Sequence, residues 1–396
     1  MFESVPMYPG DPILSLVEEF NRDPREEKIN LGIGLYYDEY GNVPVLRSVK
    51  AAMKRIMDDA APMVYMPMGG SARFAALTQQ LLLGANHQAI VERRVATIQT
   101  LGGSGALRIG ASFIHQYLPH SAIWVSNPTW GNHTAIFEDV GFTVHQYPYF
   151  DKQTCGVDFD GMMRTLVTLP EQSVVLLHPC CHNPTGADLT NAQWDQVINV
   201  VEKNGLIPFM DIAYQGFAEG LDEDAYAIRA MANRNITFFL SNSYSKNFSI
   251  YGSRTGGLSV FCRNDEEAVR VGSQLQSLVR RNYSSPPAYG AQIVEIVLGD
   301  PLLKASWEDD VAVMRERIAS MRFRIVKGLA DVLPNNDFSY FTTQRGMFSY
   351  TGFSPAQVKA LKDEHAIYLV GNGRMCLTGL NSRTVDRVAE AFAAVQ

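Results

Sequence analysis

From about residue 95 to 265, short β-rich apolar runs alternate with segments of helical period, and this alternation constrains the fold more than any other feature of the chain. "VATIQTL" is followed by "ALRIGASFIHQYL", "AIWVS" by "TAIFEDVG", and "VVLLHP" by "NAQWDQVINVVEKNG". Strands separated by helices predict an α/β architecture, a mainly parallel sheet flanked by helices on both faces. "LIPFMDIA", "ITFFLSNS" and "GGLSVFC" supply further strands. Ligands of such sheets gather at the carboxyl ends of the strands. From "WEDDVAVMRERIASMRFRIVKGLADVL" onward the pattern becomes α+β, with a long helix, short apolar runs and a last helix. With 396 residues and about 150 residues per typical domain, two domains are expected: a large one over 44–312, and a smaller α+β one built from 1–43 and 313–396.

Several function classes are excluded by composition. Lys plus Arg total 34 against 41 Asp plus Glu, a formal charge of -7 without a basic block, which argues against a nucleic-acid partner. No apolar run approaches the roughly 18 residues of a membrane span. The opening Met1-Phe2-Glu3-Ser4 has no basic stretch leading into an apolar one, so a cytoplasmic location is expected. Cys155, Cys180, Cys181, Cys262 and Cys376 lack CxxC spacing and read as buried side chains in a reducing compartment, with no metal expected.

Seven segments carry candidate chemistry. In "SNSYSKNFSIYGSRTGG", Lys246 follows an apolar strand among hydroxyls, with Arg254 close behind and Ser243 just before. Such a lysine suits imine formation with a carbonyl, and the arginine and serine suit a phosphate. In "FMDIAYQGF" a strand ends in Asp211, with Tyr214 following. A buried carboxylate there would keep a pyridine nitrogen protonated, the condition under which pyridoxal phosphate acts as an electron sink, and the phenol would bond the cofactor's O3′. "LHPCCHNPTGADLT" offers Asn183 as an amide donor to that oxygen, while His178 and His182 read as core or loop residues rather than metal ligands. "QTLGGSGALRIG" turns from strand into helix and presents Gly103 and Ser104 to a phosphate, without the G-x-G-x-x-G spacing of a dinucleotide loop. In "SNPTWGNH", Trp130 is placed to stack on a planar ring and His133 to reach Asp211. Arg374 in "GNGRMC" and Arg280 in "VRRNYSSPP" are forks suited to carboxylates.

Taken in order, "GDPIL", "NLGIGLYYDE", "TLGGSGAL", "LLHPCCHNPTGADLT", "DIAYQGF", "VRRNYSSPP", "RGMFSYTG" and "GRMC" resemble the aspartate and aromatic amino-acid aminotransferases of fold type I, particularly the bacterial aromatic (tyrosine) branch. The resemblance runs almost from end to end. It implies a pyridoxal 5′-phosphate transferase in which Lys246, Asp211 and Tyr214 are catalytic. Gly103, Ser104, Trp130, His133, Asn183, Ser243 and Arg254 would surround the cofactor. It further implies a homodimer with active sites at the interface, where Tyr65 touches the partner's phosphate and Arg280 and Ser284 are lent across. Arg374 would grip the substrate α-carboxylate beside Gly34. Leu35, Tyr37, Ser104 and Ser285 read like the aromatic branch, whereas Val43 and Val64 are smaller than its usual aliphatics and Tyr244 replaces a common phenylalanine.

The activity so implied is reversible transamination of phenylalanine, tyrosine, tryptophan and aspartate with 2-oxoglutarate; the alternative is an aspartate aminotransferase with minor aromatic activity. A lyase or decarboxylase using the same cofactor would form product without a keto-acid co-substrate. A silent amino-acid sensor would be expected to lose the lysine or carry a fused DNA-binding module, and Lys246 is present.

Overall fold

The computed structural model describes every residue except Pro9 and Met63, with the Pro12 side chain also outside the description. Contacts divide the chain into two compact units: Pro44–Glu316 with Gln344–Gly346, and Met1–Val43 with Arg317–Thr343 and Met347–Gln396.

The first unit is built on a seven-stranded sheet. Its strands are β1 (Val95–Leu101), β2 (Ile123–Asn127), β3 (Val144–Pro148), β4 (Val174–Leu177), β5 (Ile207–Ile212), β6 (Phe238–Ser243) and β7 (Thr255–Phe261). They lie in the order β1-β7-β6-β5-β4-β2-β3. Every pairing from β6 through β3 is parallel, and β7 alone runs antiparallel, against β6 and β1. The central strands are buried along nearly their whole length, which is why they read as continuous apolar runs rather than alternating ones.

Helix α1 (Gly102–Tyr117) leaves β1 directly and crosses the sheet at Gly110, where a Cβ would lie 2.5 Å from Phe209 Cζ. Glycine is required there by close approach to a ring. Phe209 on β5 is fully buried, edge-on to Phe137 at 5.8 Å and tilted against Phe239 at 5.4 Å. Helix α2 (Asn191–Asn204) starts at a capping box in which Thr190 and Gln193 exchange bonds and stops at Gly205 in the left-handed region. The long helix expected from Trp307 begins earlier, at Pro301. Asp300 accepts the backbone N–H groups of Leu302 and Leu303, and proline suits the first helical position, so the start moves upstream.

In the second unit, Ile29–Asn30 pairs in parallel with Ile367–Tyr368, and Phe348–Tyr350 pairs antiparallel with Arg374–Cys376. Its core gathers Leu31, Ile325, Leu361, Met375, Val388 and Phe392. Buried Arg322 holds the Phe348 strand by donating to Phe341 O (2.8 Å), Ser349 Oγ (2.7 Å) and Phe348 O (2.7 Å).

Phe209→Ala removes the ring on which β5, β6 and α1 converge. It should cost about 3–5 kcal/mol of unfolding free energy in urea titrations. A loss under about 1 kcal/mol would contradict this packing.

Candidate active site

Strand direction brings the candidate residues to one edge. Asp211 is paired with Ser241, Gly256 with Ser243, and Thr255 with Leu101, so the carboxyl ends of β1, β5 and β6 and the amino end of β7 share that edge. Because β7 runs backwards, Arg254 at its start meets the ends of β1 and β6 rather than the opposite side of the sheet. Had β7 been parallel, Arg254 would lie a strand length away.

Around Arg254 the backbone and side chains form a cradle for an anion. Arg254 adopts a left-handed φ of 49° and donates to Tyr251 O at 3.1 Å and Ser245 Oγ at 3.4 Å. A Cβ on Gly102 would lie 2.9 Å from Arg254 Nη2, so a glycine is what lets the guanidinium approach the start of α1. Gly103 and Ser104 occupy the first turn of α1, where unpaired N–H groups and the helix dipole favour negative charge. A Cβ on Gly103 would sit 3.5 Å from Ser243 Cβ and 3.8 Å from Asp211 Oδ1, placing three of the expected residues around one small space.

Lys246 is half-buried, with Nζ 4.8 Å from the centre of the Tyr214 ring. The next residue is anchored from two sides: Trp307 Nε1 donates to Asn247 O at 2.7 Å, and Asn247 Nδ2 donates to Gln215 O at 3.2 Å. The lysine loop and the tyrosine loop are therefore tied together.

Asp211 is buried, with Oδ2 3.2 Å from His133 Nε2, while Oδ1 has no partner among the described residues. Burial pushes its pKa up, but the bond to His133, with the polar His178 and Ser241 groups beside it, outweighs this and holds it below the ordinary range. His133 Nδ1 is 2.8 Å from Thr129 Oγ1, and its ring meets Trp130 edge-on at 5.2 Å. His178 lies edge-on to His133 at 5.1 Å, and His182 follows at 4.4 Å, stacked in turn on Tyr149 at 4.0 Å. Burial, reinforced by the His133 charge, depresses His178 to about 3, and burial takes His182 well below the ordinary range. Both rings are neutral at pH 7.

Asn183 is buried beyond β4, its peptide N–H donating to His178 Nδ1 at 3.3 Å and its bond to Pro184 cis. Two loop carboxylates support this region, and sequence reasoning missed both. Asp188 accepts the N–H groups of Cys181 (2.6 Å) and His182 (2.8 Å). Asp224 accepts those of Gly216 (2.8 Å), Ala218 (3.1 Å), Glu219 (2.9 Å) and Gly220 (3.3 Å), fixing the turn after Tyr214. Their only signal was an aspartate in or after a glycine-containing loop, where chelation of backbone amides is common. Cys180, Cys181 and Asp224 bring ligand atoms within 4.8 Å of one another. Its bond with Cys181 and burial push the Cys180 thiol well up, and both Asp224 oxygens are engaged by amides, so the donor set suits packing rather than a cation.

Arg280 Nη1 donates to Ser284 Oγ at 2.6 Å, and Tyr65 is 94% exposed in the single chain. In the other unit, Arg374 Nη2 donates to Gly32 O at 2.7 Å and the guanidinium stacks 4.4 Å over Phe348. A Cβ on Gly34 would lie 2.9 Å from the same phenylalanine ring, so glycine leaves the Phe348 edge clear beside the arginine.

The fold and the strand-end cluster are those of an α/β transferase built around an anion cradle, an amine and a buried acid. The family model for class I and II aminotransferases matches residues 26–392, and the chain belongs to that family, as a pyridoxal-phosphate-dependent aminotransferase. It is 55% identical, over the full length of both chains, to the aromatic-amino-acid aminotransferase of Escherichia coli (strain K12). Among solved structures it is similar to the aromatic-amino-acid aminotransferase of Burkholderia pseudomallei covalently bound to pyridoxal phosphate, with 48% identity, TM-score 0.98, and 100% and 99% of the two chains covered. The psychrophilic aromatic amino acids aminotransferase of Psychrobacter sp. B6, cocrystallised with aspartic acid, matches at 51% identity, TM-score 0.98 and the same coverage.

The residues present fit this cofactor. Arg254, Ser243 and the first turn of α1 offer cation, hydroxyl and amides to a phosphate, and the unpartnered Asp211 Oδ1 offers an acceptor to a ring N–H.

The neutral histidines give the fold a pH dependence. A histidine depressed from 6.5 to about 3 is protonated in the unfolded chain before the folded one, so its stabilisation is present above 6.5 and lost as pH falls toward 3. Between pH 7 and 5, unfolding free energy should fall by about 1–2 kcal/mol for His178 alone. His178→Asn should flatten the urea-derived slope by that amount; an unchanged slope would contradict a buried neutral imidazole.

Proposed function

We propose that the chain catalyses reversible transamination of phenylalanine, tyrosine, tryptophan and aspartate with 2-oxoglutarate. The observation that carries this reading is the buried Asp211 carboxylate, held by His133 and keeping one oxygen unpartnered, on the same sheet edge as Lys246. Full-length similarity to aromatic-amino-acid aminotransferases and the aromatic-branch residues Leu35, Tyr37, Ser104 and Ser285 support the substrate class.

When bound, pyridoxal phosphate supplies an electron sink that stabilises negative charge at the substrate α-carbon. Asp211 would keep a proton on the ring nitrogen, and His133, fixed by Thr129, holds that carboxylate in place. Gly103, Ser104, Ser243 and Arg254 would hold the phosphate, Trp130 would stack on the ring, and Asn183 and Tyr214 would bond its phenolic oxygen. Lys246 would anchor the cofactor through its side-chain amine, and as a free amine the same group would be the base that takes and returns the substrate α-proton. Arg374 holds the α-carboxylate beside Gly34. Two half-reactions served in turn by one site are expected to give ping-pong kinetics.

A homodimer completes the site in this reading, with Tyr65, Arg280 and Ser284 serving the partner's substrate and phosphate. Exposure of Val45 (62%), Met57 (75%), Val64 (74%) and Tyr65 (94%) on one stretch of the first unit supports an association surface. A cytoplasmic location is supported by cysteines that form no disulfide among the described residues. No helix among the described residues is long and apolar enough to cross a membrane.

Arg280 is exposed in the single chain and, among the described residues, is held at its tip by Ser284, which leaves the guanidinium room to reorient. It pairs with a dicarboxylate side chain and withdraws from an aromatic one. Arg280→Leu should lower kcat/KM for aspartate by about 100-fold or more, since truncating one partner of a buried charge pair costs about 2–5 kcal/mol. Phenylalanine should lose less than about 10-fold. Equal losses in steady-state rates would refute the dual-specificity role, and a wild-type preference confined to dicarboxylates would favour an aspartate aminotransferase with minor aromatic activity.

A further inference from the structure

Asn183 stands in a closed loop between β4 and α2, and the groups closing that loop are not those that meet substrate or cofactor. Both oxygens of Asp188 are used on consecutive peptide N–H groups immediately before Asn183: Oδ2 accepts from Cys181 at 2.6 Å and Oδ1 from His182 at 2.8 Å. Cys181 adopts a left-handed φ of 52°, a conformation that turns successive amides toward one anion and that a non-glycine residue holds only under constraint. Gly346 backs this turn, since any Cβ there would fall 2.5 Å from Cys181 Cβ. His182 is held from both ring nitrogens, by Ser126 Oγ at 2.9 Å and Thr185 Oγ1 at 2.8 Å, and the Gly186 N–H donates to His182 O at 2.7 Å. Asp188 is therefore a charged clasp on a loop that peptide and hydroxyl bonds also help to close. Burial raises its pKa to about 6, which the Cys181 and His182 amides and the nearby Arg345 oppose and the nearby Asp224 reinforces, so it is predominantly ionised at pH 7.

We propose that Asp188 is a positioning residue for the reaction: by clasping the Cys181–His182 amides it sets the angle at which Asn183 presents its side-chain amide to the cofactor. This rests on the assignment of Asn183 as a donor to the cofactor's phenolic oxygen. A donor at that oxygen draws off negative charge and lowers the proton affinity of the adjoining nitrogen contributed by Lys246. Misdirecting the donor raises that affinity, without Asp188 touching the cofactor.

The test is a double-mutant cycle on the holoenzyme, read as the midpoint pH of the visible absorbance change of the lysine-bound cofactor, with melting temperature followed in parallel. Asn183→Ala should raise the midpoint by at least about half a pH unit. Asp188→Asn, which keeps the shape but replaces one acceptor by a donor, should raise it in the same direction in the wild-type background and add nothing in the Asn183→Ala background. Asp188→Glu provides the same comparison if the asparagine variant does not fold. A midpoint unchanged by Asp188→Asn while the melting temperature falls would show a purely structural carboxylate and overturn the proposal. An equal shift in both backgrounds would overturn it too, since Asp188 would then act by another route. If Asn183→Ala itself leaves the midpoint unmoved, the donor role of Asn183 fails, and this proposal with it.

Discussion

Asp211 is buried at the end of β5 with Oδ2 on His133 Nε2 and Oδ1 unpartnered. A buried carboxylate with half its acceptor capacity unmet is expensive to keep, on the order of 1–3 kcal/mol for the unsatisfied group. The surroundings are arranged to keep it ionised all the same. His133 is fixed by Thr129 from the far side, and the adjoining His178 and His182 remain neutral. Such an arrangement makes sense where a ligand bearing a protonated ring nitrogen completes the pair, since the unmet oxygen is then satisfied only in the holoenzyme.

The scaffold gives this carboxylate its neighbours through strand direction. Parallel β4, β5 and β6 deliver Asn183, Asp211 and Lys246 at or beyond their carboxyl ends, and the single reversed strand β7 brings Arg254 to the same edge. Polar support comes from the loops rather than the strands. Asp188 and Asp224 organise the turns beyond β4 and β5 by accepting backbone amides, and Trp307 anchors the turn beyond β6. Rigid strands set position to within a strand spacing, and loop carboxylates refine it by direct bonds to the backbone.

Most of this fold was legible in the chain. Strands buried on both faces leave unbroken apolar runs, and helices between them carry a helical period, so both stand out without an alignment. The direction of β7 was not legible, because "GGLSVFC" reads the same whichever way it lies; only its pairing with β1 and β6 sets it. The early start of the Pro301 helix escaped because Asp300 and Pro301 lie before the amphipathic pattern begins. Lys246, Asp211 and Arg254 drew notice because polar residues at strand ends are costly unless used. Asp188 and Asp224 drew none, since a loop aspartate ordinarily faces solvent and their amide partners are invisible in a string of letters. Tyr65 and Ser284 stand out only through resemblance, because a single chain gives them no role.

The central claim is a covalent bond between the cofactor and one particular amine. Borohydride reduction of the purified holoenzyme, followed by peptide mapping in a mass spectrometer, tests it most directly. The account predicts one phosphopyridoxyl-modified residue, Lys246, in the peptide carrying the end of β6. Modification spread over surface lysines, or its absence from Lys246 in protein that retains bound cofactor, would contradict it.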